Sequence, residues 1–299
     1  PYAVVQRVDL HGVCGDAGLN SGRIELRTAS EVTGYVQDGT SVTAHLSAGG
    51  KCACPARIGA DGLWSNLRRQ LVGDGVPRVS GHTTYRSVIP VEQMPEDLRW
   101  NAATLWAGPK CHVVHYPLSG WKLFNLVVTY HNDAPEPVAG LPVEAHEVLQ
   151  GFAHIHERVQ TIIRQGSNWK LWVLCDRDPV ERWVDGRVAL LGDAAHPMMQ
   201  YFAQGACMAM EDAVCLAHKV EAHPGDIEQA LESYRQNRLL RTARVQLQSR
   251  AIGEHIYHPA GAHALLRNAI MSSRSSEDYY DILAWLCSDT GLDEPASGT

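Results

Sequence analysis

Gly186-Arg-Val-Ala-Leu-Leu-Gly-Asp-Ala-Ala-His-Pro-Met-Met-Gln-Tyr-Phe-Ala-Gln-Gly-Ala-Cys-Met-Ala-Met-Glu-Asp-Ala213 is the stretch whose reading decides the fold. Its first run, Val188 to Leu191, is apolar at every position, as suits a parallel strand covered on both faces. Gly192-Asp193 breaks that run. After a loop holding Pro197, the small residues Ala203, Gly205, Ala206 and Ala209 open a nearly all-apolar segment with the composition of a buried helix. The start of such a helix presents free backbone N–H groups and partial positive charge. A carboxylate at the strand end beside a small-residue helix start is equipped to hold a polar, partly anionic cofactor.

Working outward, 299 residues can bury a large core in one large or two ordinary domains. Hydrophobic residues at 45% and charged residues at 20% are those of a globular protein. The net charge of −7 argues against nucleic acid or an anionic membrane as partner. With no spanning-length apolar run and no signal-peptide pattern, the expected location is cytoplasmic. Eight scattered cysteines fit reduced thiols, and the lone close pair, Cys52 and Cys54, lacks the second pair a zinc site needs. No metal is expected. The opening residues read as mid-domain, so the chain is expected to lack its natural N-terminus.

Asp9 is placed to cap a short helix through Cys14, and Arg23 to Arg27 alternates like a strand. Glu31 to Val36 and Ser41 to Leu46 flank an Asp-Gly turn, and a third run follows Gly49-Gly50, which together predict an antiparallel meander. Ile58-Gly-Ala-Asp-Gly-Leu-Trp-Ser-Asn-Leu-Arg68 repeats the strand, carboxylate, glycine, helix arrangement. Thr84 to Ile89, Thr104 to Trp106, His112 to Tyr116 and Lys122 to Tyr130 read as strands of a separate sheet. His131 to Leu141 reads as loop, Val143 to Gln165 as helix and Leu171 to Cys175 as a strand. Asp226 can cap a long helix through about Arg250, whose Arg235, Arg238, Arg241 and Arg244 are expected on a solvated or salt-bridged flank.

Either Gly-Asp device alone is an ordinary tight turn. Together, Gly-Ala-Asp-Gly-x-x-Ser-x-x-Arg and the later Gly-Asp-Ala-Ala-His-Pro with Glu211-Asp212-Ala213 form a long, ordered pattern. It resembles the two downstream fingerprints of the class A flavoprotein aromatic hydroxylases, the single-component FAD-dependent monooxygenases, and most of all their 3-hydroxybenzoate and salicylate hydroxylase branch. The resemblance runs from Val4-Val-Gln-Arg-Val-Asp-Leu-His11 through Tyr85-Arg86 and Ile89-Pro90 to Tyr279-Tyr-Asp-Ile-Leu-Ala-Trp-Leu286. The family's Gly-x-Gly-x-x-Gly unit is absent, its natural place being upstream of Pro1. Gln200, Ala203 and Cys207 stand where the family often has Pro, Gly and Asn.

The resemblance implies an α/β fold: an FAD-binding three-layer doubly wound fold, its first βαβ unit missing, with an inserted, mainly antiparallel substrate sheet. Implied boundaries are residues 1–78 and 177–220 for the FAD-binding parts, 79–176 for the sheet domain and 221–299 for a helical region. Asp193 would bind the ribityl chain, Gly205 and Ala206 would face the flavin's pyrimidine side, Asp61 would sit near the pyrophosphate and Arg7 would reach the FAD from the other side. His82 is expected to be the catalytic base, with Gln200, Tyr85 and Tyr201 lining the pocket. His196 is expected to fix the loop, and Arg68 to serve as a structural partner of Asp61 or a ligand group. The implied reaction uses FAD, NADH or NADPH and dioxygen, through a flavin hydroperoxide, to turn 3-hydroxybenzoate into gentisate. Salicylate or another phenol is the alternative substrate, and a non-catalytic truncated remnant is the alternative of another class. A homodimer is the expected assembly where there is one, and the sequence does not fix the oligomeric state.

Overall fold

A computed structural model describes residues 3–288 and 290–292. The sequence also predicts an extended start over Pro1 to Val5 and a frayed end after Asp289; Pro1, Tyr2, Asp289 and residues 293–299 lie outside the described residues. In chain order the elements are α1 (Arg7–Asn20), β1 (Val32–Gln37), β2 (Val42–Leu46), β3 (Lys51–Cys54), β4 (Arg57–Gly59), α2 (Asn66–Leu71), β5 (Arg78–Pro90), β6 (Thr104–Gly108), β7 (Cys111–Leu118), β8 (Leu123–His131) and β9 (Ala139–Pro142). They continue with α3 (Ala145–Gln150), α4 (Glu157–Gln165), β10 (Lys170–Asp176), β11 (Val184–Asp185), β12 (Val188–Leu190), α5 (Gly205–Ala222), α6 (Ile227–Ile252), α7 (Gly261–Ser272) and α8 (Ser276–Cys287). A π-helical turn, Gly253–Tyr257, ends α6. The chain divides into two compact units: residues 1–29, 79–174 and 256–264, and residues 30–78, 175–255 and 265–299.

In the second unit β12 pairs in parallel with β4 and antiparallel with β11. Val188, Ala189 and Leu190 are fully buried, which is why this strand reads as apolar at every position. The expected meander forms as β1, β2 and β3, with Asp38 accepting the Thr40 and Ser41 amides in its turn. Ser65 caps α2 by accepting the Arg68 N–H at 2.8 Å, and Asp226 caps α6 by accepting the Gln229 N–H at 3.1 Å.

The first unit is organised by a six-stranded sheet in the order β6-β7-β8-β5-β10-β9. Its core lies on one face, where Ile89, Cys111, Val113, Phe124, Leu126 and Val128 meet Val148 and Phe152, together with Val159, Ile162 and Ile163 of α4. Alternation along β7 and β8 sends the intervening residues to the other face. The strand predicted over Leu171 to Cys175 forms as β10 and belongs to this sheet.

Two expectations are corrected. Residues 23–27 form no strand, since Arg23 to Arg27 has the alternation but no ladder partner. The single helix expected over Val143 to Gln165 is two, α3 and α4, interrupted at residues 151–156 after the Gly151 C-cap. The arginines of α6 are salt-bridged, as one of the two expectations had it: Arg238 is fully buried on Asp212 and Glu211, Arg235 pairs with Glu232, and Arg241 grips Glu211 and the Trp285 and Leu286 carbonyls, while exposed Arg244 lies 3.8 Å over the Trp285 ring.

His115, on β7, is fully buried among Trp100, Trp106 and Phe124, and neither ring nitrogen has a hydrogen-bond partner among the described residues. Burial holds its pKa down at about 4, and burial together with His131 does the same for His258. An unfolded histidine takes up its proton near pH 6.5, so between there and pH 4 the unfolded chain binds protons that the folded chain refuses. Stability is therefore full above pH 6.5 and falls by roughly 2 to 3 kcal/mol per such histidine as pH drops to 4. His115→Leu should stabilise the fold by about 1 kcal/mol at pH 7 and flatten this acid limb. Urea unfolding at several pH values measures both effects.

Candidate active site

Two sets of polar residues, one in each unit, are the candidates for the site. In the second unit β12 delivers the chain into the Gly192–Ala194 turn. Gly192 takes φ +61°, and a Cβ there would meet that of Ala209 at 3.1 Å, so the turn needs glycine for both conformation and close helix approach. The Gly192 N–H donates to Asp212 Oδ2 at 3.0 Å. The same carboxylate holds His196 Nε2 at 2.6 Å and the Arg238 Nε–H at 2.8 Å, all three side chains being fully buried. Burial pushes the Asp212 pKa up, but His196 and Arg238 hold it below the usual carboxylate range. A buried, paired charge thus pins the turn from beneath, and His196 is structural, as expected.

Above the turn, Asp193 is exposed, and its Oδ1 lies 3.8 Å from where a Gly205 side chain would begin. Gly205 starts α5, whose N-cap Gln204 makes no side-chain cap. The first turn bond is Met208 N–H to the Gln204 carbonyl at 2.8 Å, leaving the amides of Gly205, Ala206 and Cys207 at an open helix end. Asp193, Gly205 and Ala206 therefore come together as predicted, with acceptor and donors side by side. The preceding Ala203 adopts the left-handed conformation, φ 55° and ψ 31°. A Cβ in that region costs about 1 to 2 kcal/mol, so Ala203→Gly should raise the unfolding free energy by about 1 kcal/mol after its own entropy loss. A higher urea midpoint at unchanged slope would register it.

The other predicted residues of this unit divide. Asp61 lines a cleft of about 470 Å³ with Arg57, Trp64 and Asn66. Its carboxylate already accepts the Ser65 hydroxyl at 2.5 Å and the Asn66 and Leu67 amides at 2.9 and 3.3 Å, so it satisfies the start of α2 itself. Arg68 does not partner Asp61. It is fully buried, binds Asp74 at 2.7 Å and donates to the Ala195 carbonyl at 2.5 Å, bracing the same turn. Gln200 is half-buried before the open helix end, whereas Tyr201 is buried with its ring against Gly253, where it packs rather than lines an opening.

In the first unit the sheet face opposite the core is polar. Register pairs His82 with His131, Thr84 and His112 with Thr129, Arg86 and Val114 with Val127, and Tyr116 with Asn125. At one end His112 is 2% exposed, bonded through Nδ1 to His258 Nε2 at 2.7 Å and met edge-on by Tyr257. Burial, and then the neighbouring His258 and His82, keep His112 well below the ordinary histidine pKa. Toward the other end Val114, Tyr116 and Asn125 are half-buried and Arg86 is exposed. Burial also raises the Tyr116 pKa against the effects of Arg86 and Asn125, so its hydroxyl stays protonated.

Tyr85 departs from its prediction. Three residues from His82 on one strand, it points to the opposite face and packs against the helix-covered core, so the two cannot line one pocket. The residues the sequence reading missed are His112 and Tyr116. Their signal was available: His112, Val114 and Tyr116 alternate with the buried Cys111, Val113 and His115, which puts histidine and tyrosine on one face. Arg7 begins α1 with an exposed side chain, and α1 buries none of its residues.

An open helix end beside an exposed carboxylate, carried by a parallel strand pair, together with a separate sheet bearing a buried histidine and a half-buried tyrosine, is compatible with a flavin-dependent hydroxylase. The sequence matches the FAD binding domain family over residues 4–249, and the chain belongs to the FAD-dependent aromatic hydroxylases. It is 53% identical over 286 residues to 3-hydroxybenzoate 6-hydroxylase 1 of Aquipseudomonas alcaligenes, covering 96% of this chain and 72% of that protein. The 3-hydroxybenzoate 6-hydroxylase of Polaromonas naphthalenivorans is 43% identical over the same 96% of the chain and 71% of its own length. Among solved structures, a salicylate hydroxylase substrate complex matches with TM-score 0.77 and 26% identity, over 97% of this chain and 76% of that one.

Proposed function

We propose that this chain hydroxylates 3-hydroxybenzoate at the position para to its hydroxyl, giving 2,5-dihydroxybenzoate (gentisate), as a cytoplasmic enzyme using NADH or NADPH and dioxygen. The observation that carries the reading is the 53% identity to a 3-hydroxybenzoate 6-hydroxylase across 286 residues. FAD, when bound, accepts hydride from the nicotinamide and activates the oxygen.

The residues present fit that cofactor. Asp193 would accept hydrogen bonds from the ribityl hydroxyls, and the open end of α5 at Gly205 and Ala206 would offer donors and partial positive charge to the flavin's pyrimidine side. Asp61 would sit near the pyrophosphate while keeping its own contacts to Ser65, Asn66 and Leu67, and Arg7 would offer an exposed cation. We assign residues 79–174 to substrate binding and the strand pair with α5 to the flavin.

On the polar sheet face, His112 takes the substrate's phenolic proton. Removing it raises electron density at the ortho and para carbons, which favours an electrophilic oxygen. Tyr116 and Asn125 offer hydrogen bonds to substrate oxygens, and Arg86 supplies countercharge for the carboxylate. Gln200 keeps its catalytic assignment as an amide that both donates and accepts, while His82 moves from base to outer member of the histidine group. The protein loaded with FAD should oxidise NADH or NADPH much faster with 3-hydroxybenzoate than with salicylate. Equal or greater stimulation by salicylate would favour salicylate hydroxylation instead.

A further inference from the structure

The stretch Tyr279-Tyr-Asp-Ile-Leu-Ala-Trp-Leu286 makes up most of α8, which lies in the second unit against α5 and α6. Leu286 is buried with Met208 of α5 and Val245 of α6, and Phe202, Cys207 and Trp285 pack around them. The Trp285 ring meets that of Phe202 edge-on, at 6.0 Å between centroids, and the Arg244 guanidinium lies 3.8 Å over the indole. Arg241 joins the helices. It grips both carboxylate oxygens of Glu211 on α5, at 2.7 and 2.8 Å, and donates to the Trp285 and Leu286 carbonyls at 2.8 and 2.9 Å. Carbonyls in the last turn of a helix have no partner within it, so this guanidinium caps the C-terminal end of α8. Ser275 and Asp278 form a capping box at the other end, and α8 is fixed at both.

We propose that α8 is a strap across the flavin end of α5, and that Trp285, pinned by Arg241 and Arg244, is a positioning residue that holds Phe202 and thereby Gln200 and the first turn of α5. This rests on the start of α5 being the flavin end and on Gln200 acting in the reaction. Phe202 follows Gln200 by two residues and immediately precedes Ala203, whose left-handed backbone, φ 55°, turns the chain toward α5. A residue in that region is held there by its surroundings rather than by its own preference. Cys207, which packs on the same cluster, belongs to the first turn of α5 with Gly205 and Ala206. The strap therefore backs both the loop that carries Gln200 and the amides assigned to the flavin. An edge-on ring pair fixes orientation as well as burial, and the cation over the indole face keeps Trp285 from turning away.

The chain has three phenylalanines, so fluorophenylalanine labelling gives three fluorine NMR resonances. Phe202→Leu identifies one of them, while Phe124 and Phe152, in the core of the first unit, serve as internal references. Far-ultraviolet dichroism reports whether the helices persist. In the flavin-free protein Trp285→Ala should shift and broaden the Phe202 resonance and leave the other two in place. The same variant should bind FAD at least about fivefold more weakly. Its kcat should fall at least about tenfold, with KM for 3-hydroxybenzoate changed less than about threefold. Trp285→Phe keeps a ring for both Phe202 and Arg244 and should recover most of each loss, whereas Trp285→Leu keeps only apolar bulk and should not.

An unmoved Phe202 resonance in Trp285→Ala, or unchanged FAD affinity and kcat, would overturn the strap, as would equal recovery by leucine and phenylalanine. If Trp285→Ala loses helix, the comparison of Trp285→Phe with Trp285→Leu decides. If the unsubstituted protein forms no gentisate, the assigned reaction falls, and the fluorine resonance and FAD affinity still judge the strap.

Discussion

Asp212→Ala should lower the unfolding free energy by about 3 to 5 kcal/mol, among the largest losses any single substitution here would cause. The carboxylate sits at zero exposure and joins three segments: the Gly192 N–H of the flavin turn, His196 of the following loop, and Arg238 of α6. Removing it leaves the Arg238 guanidinium in the core with only Glu211, at 2.8 Å, as its carboxylate. Burial opposes the charge on Arg238, but Asp212 more than offsets it and raises the pKa, so the guanidinium cannot escape by losing its proton. Asp212→Asn keeps acceptor geometry without charge and should cost less than Asp212→Ala. Because the Gly192 amide loses its anchor, FAD affinity should fall in both variants in the same order. Urea unfolding and flavin fluorescence titration measure the two losses, and an unchanged midpoint in Asp212→Ala would contradict the assigned role.

His112→Gln should lower kcat/KM for 3-hydroxybenzoate by about 100-fold or more, the usual scale of losing a positioned base. Flavin affinity should hardly move, because Asp193 and the start of α5 belong to the other unit. The glutamine retains hydrogen bonding but not proton transfer, so the bound phenol should ionise closer to its solution value, and activity should recover toward high pH. Absorbance titration of the bound substrate reads this directly. By contrast, Tyr85→Phe should have little effect on kcat/KM, since its ring belongs to the helix-covered core.

Much of this arrangement was legible in the residues. The fully apolar Val188 to Leu191 run and the small residues after it gave the buried strand and open helix, because burial on both faces leaves no room for alternation. Asp38-Gly39 fixed the meander turn, and Ser65 and Asp226 marked helix starts through local hydrogen bonds. What stayed hidden depends on partners far away in sequence. The alternation at Arg23 to Arg27 was real but found no neighbouring strand, and ladder pairing is not a local property. Arg238 looked like its neighbours on α6 until Asp212 closed over it. His258 bonds a histidine on β7, a pairing no spacing announces, and Tyr85, three residues from His82 on one strand, faces the helix-covered core because side chains alternate.

The central claim is that this flavin-dependent enzyme oxygenates 3-hydroxybenzoate para to its hydroxyl. The most direct measurement identifies the product when protein loaded with FAD is supplied with NADH or NADPH, dioxygen and 3-hydroxybenzoate. The account predicts gentisate, formed in step with nicotinamide oxidation. An ortho-hydroxylated product, or nicotinamide oxidation yielding hydrogen peroxide and unchanged substrate, would contradict it.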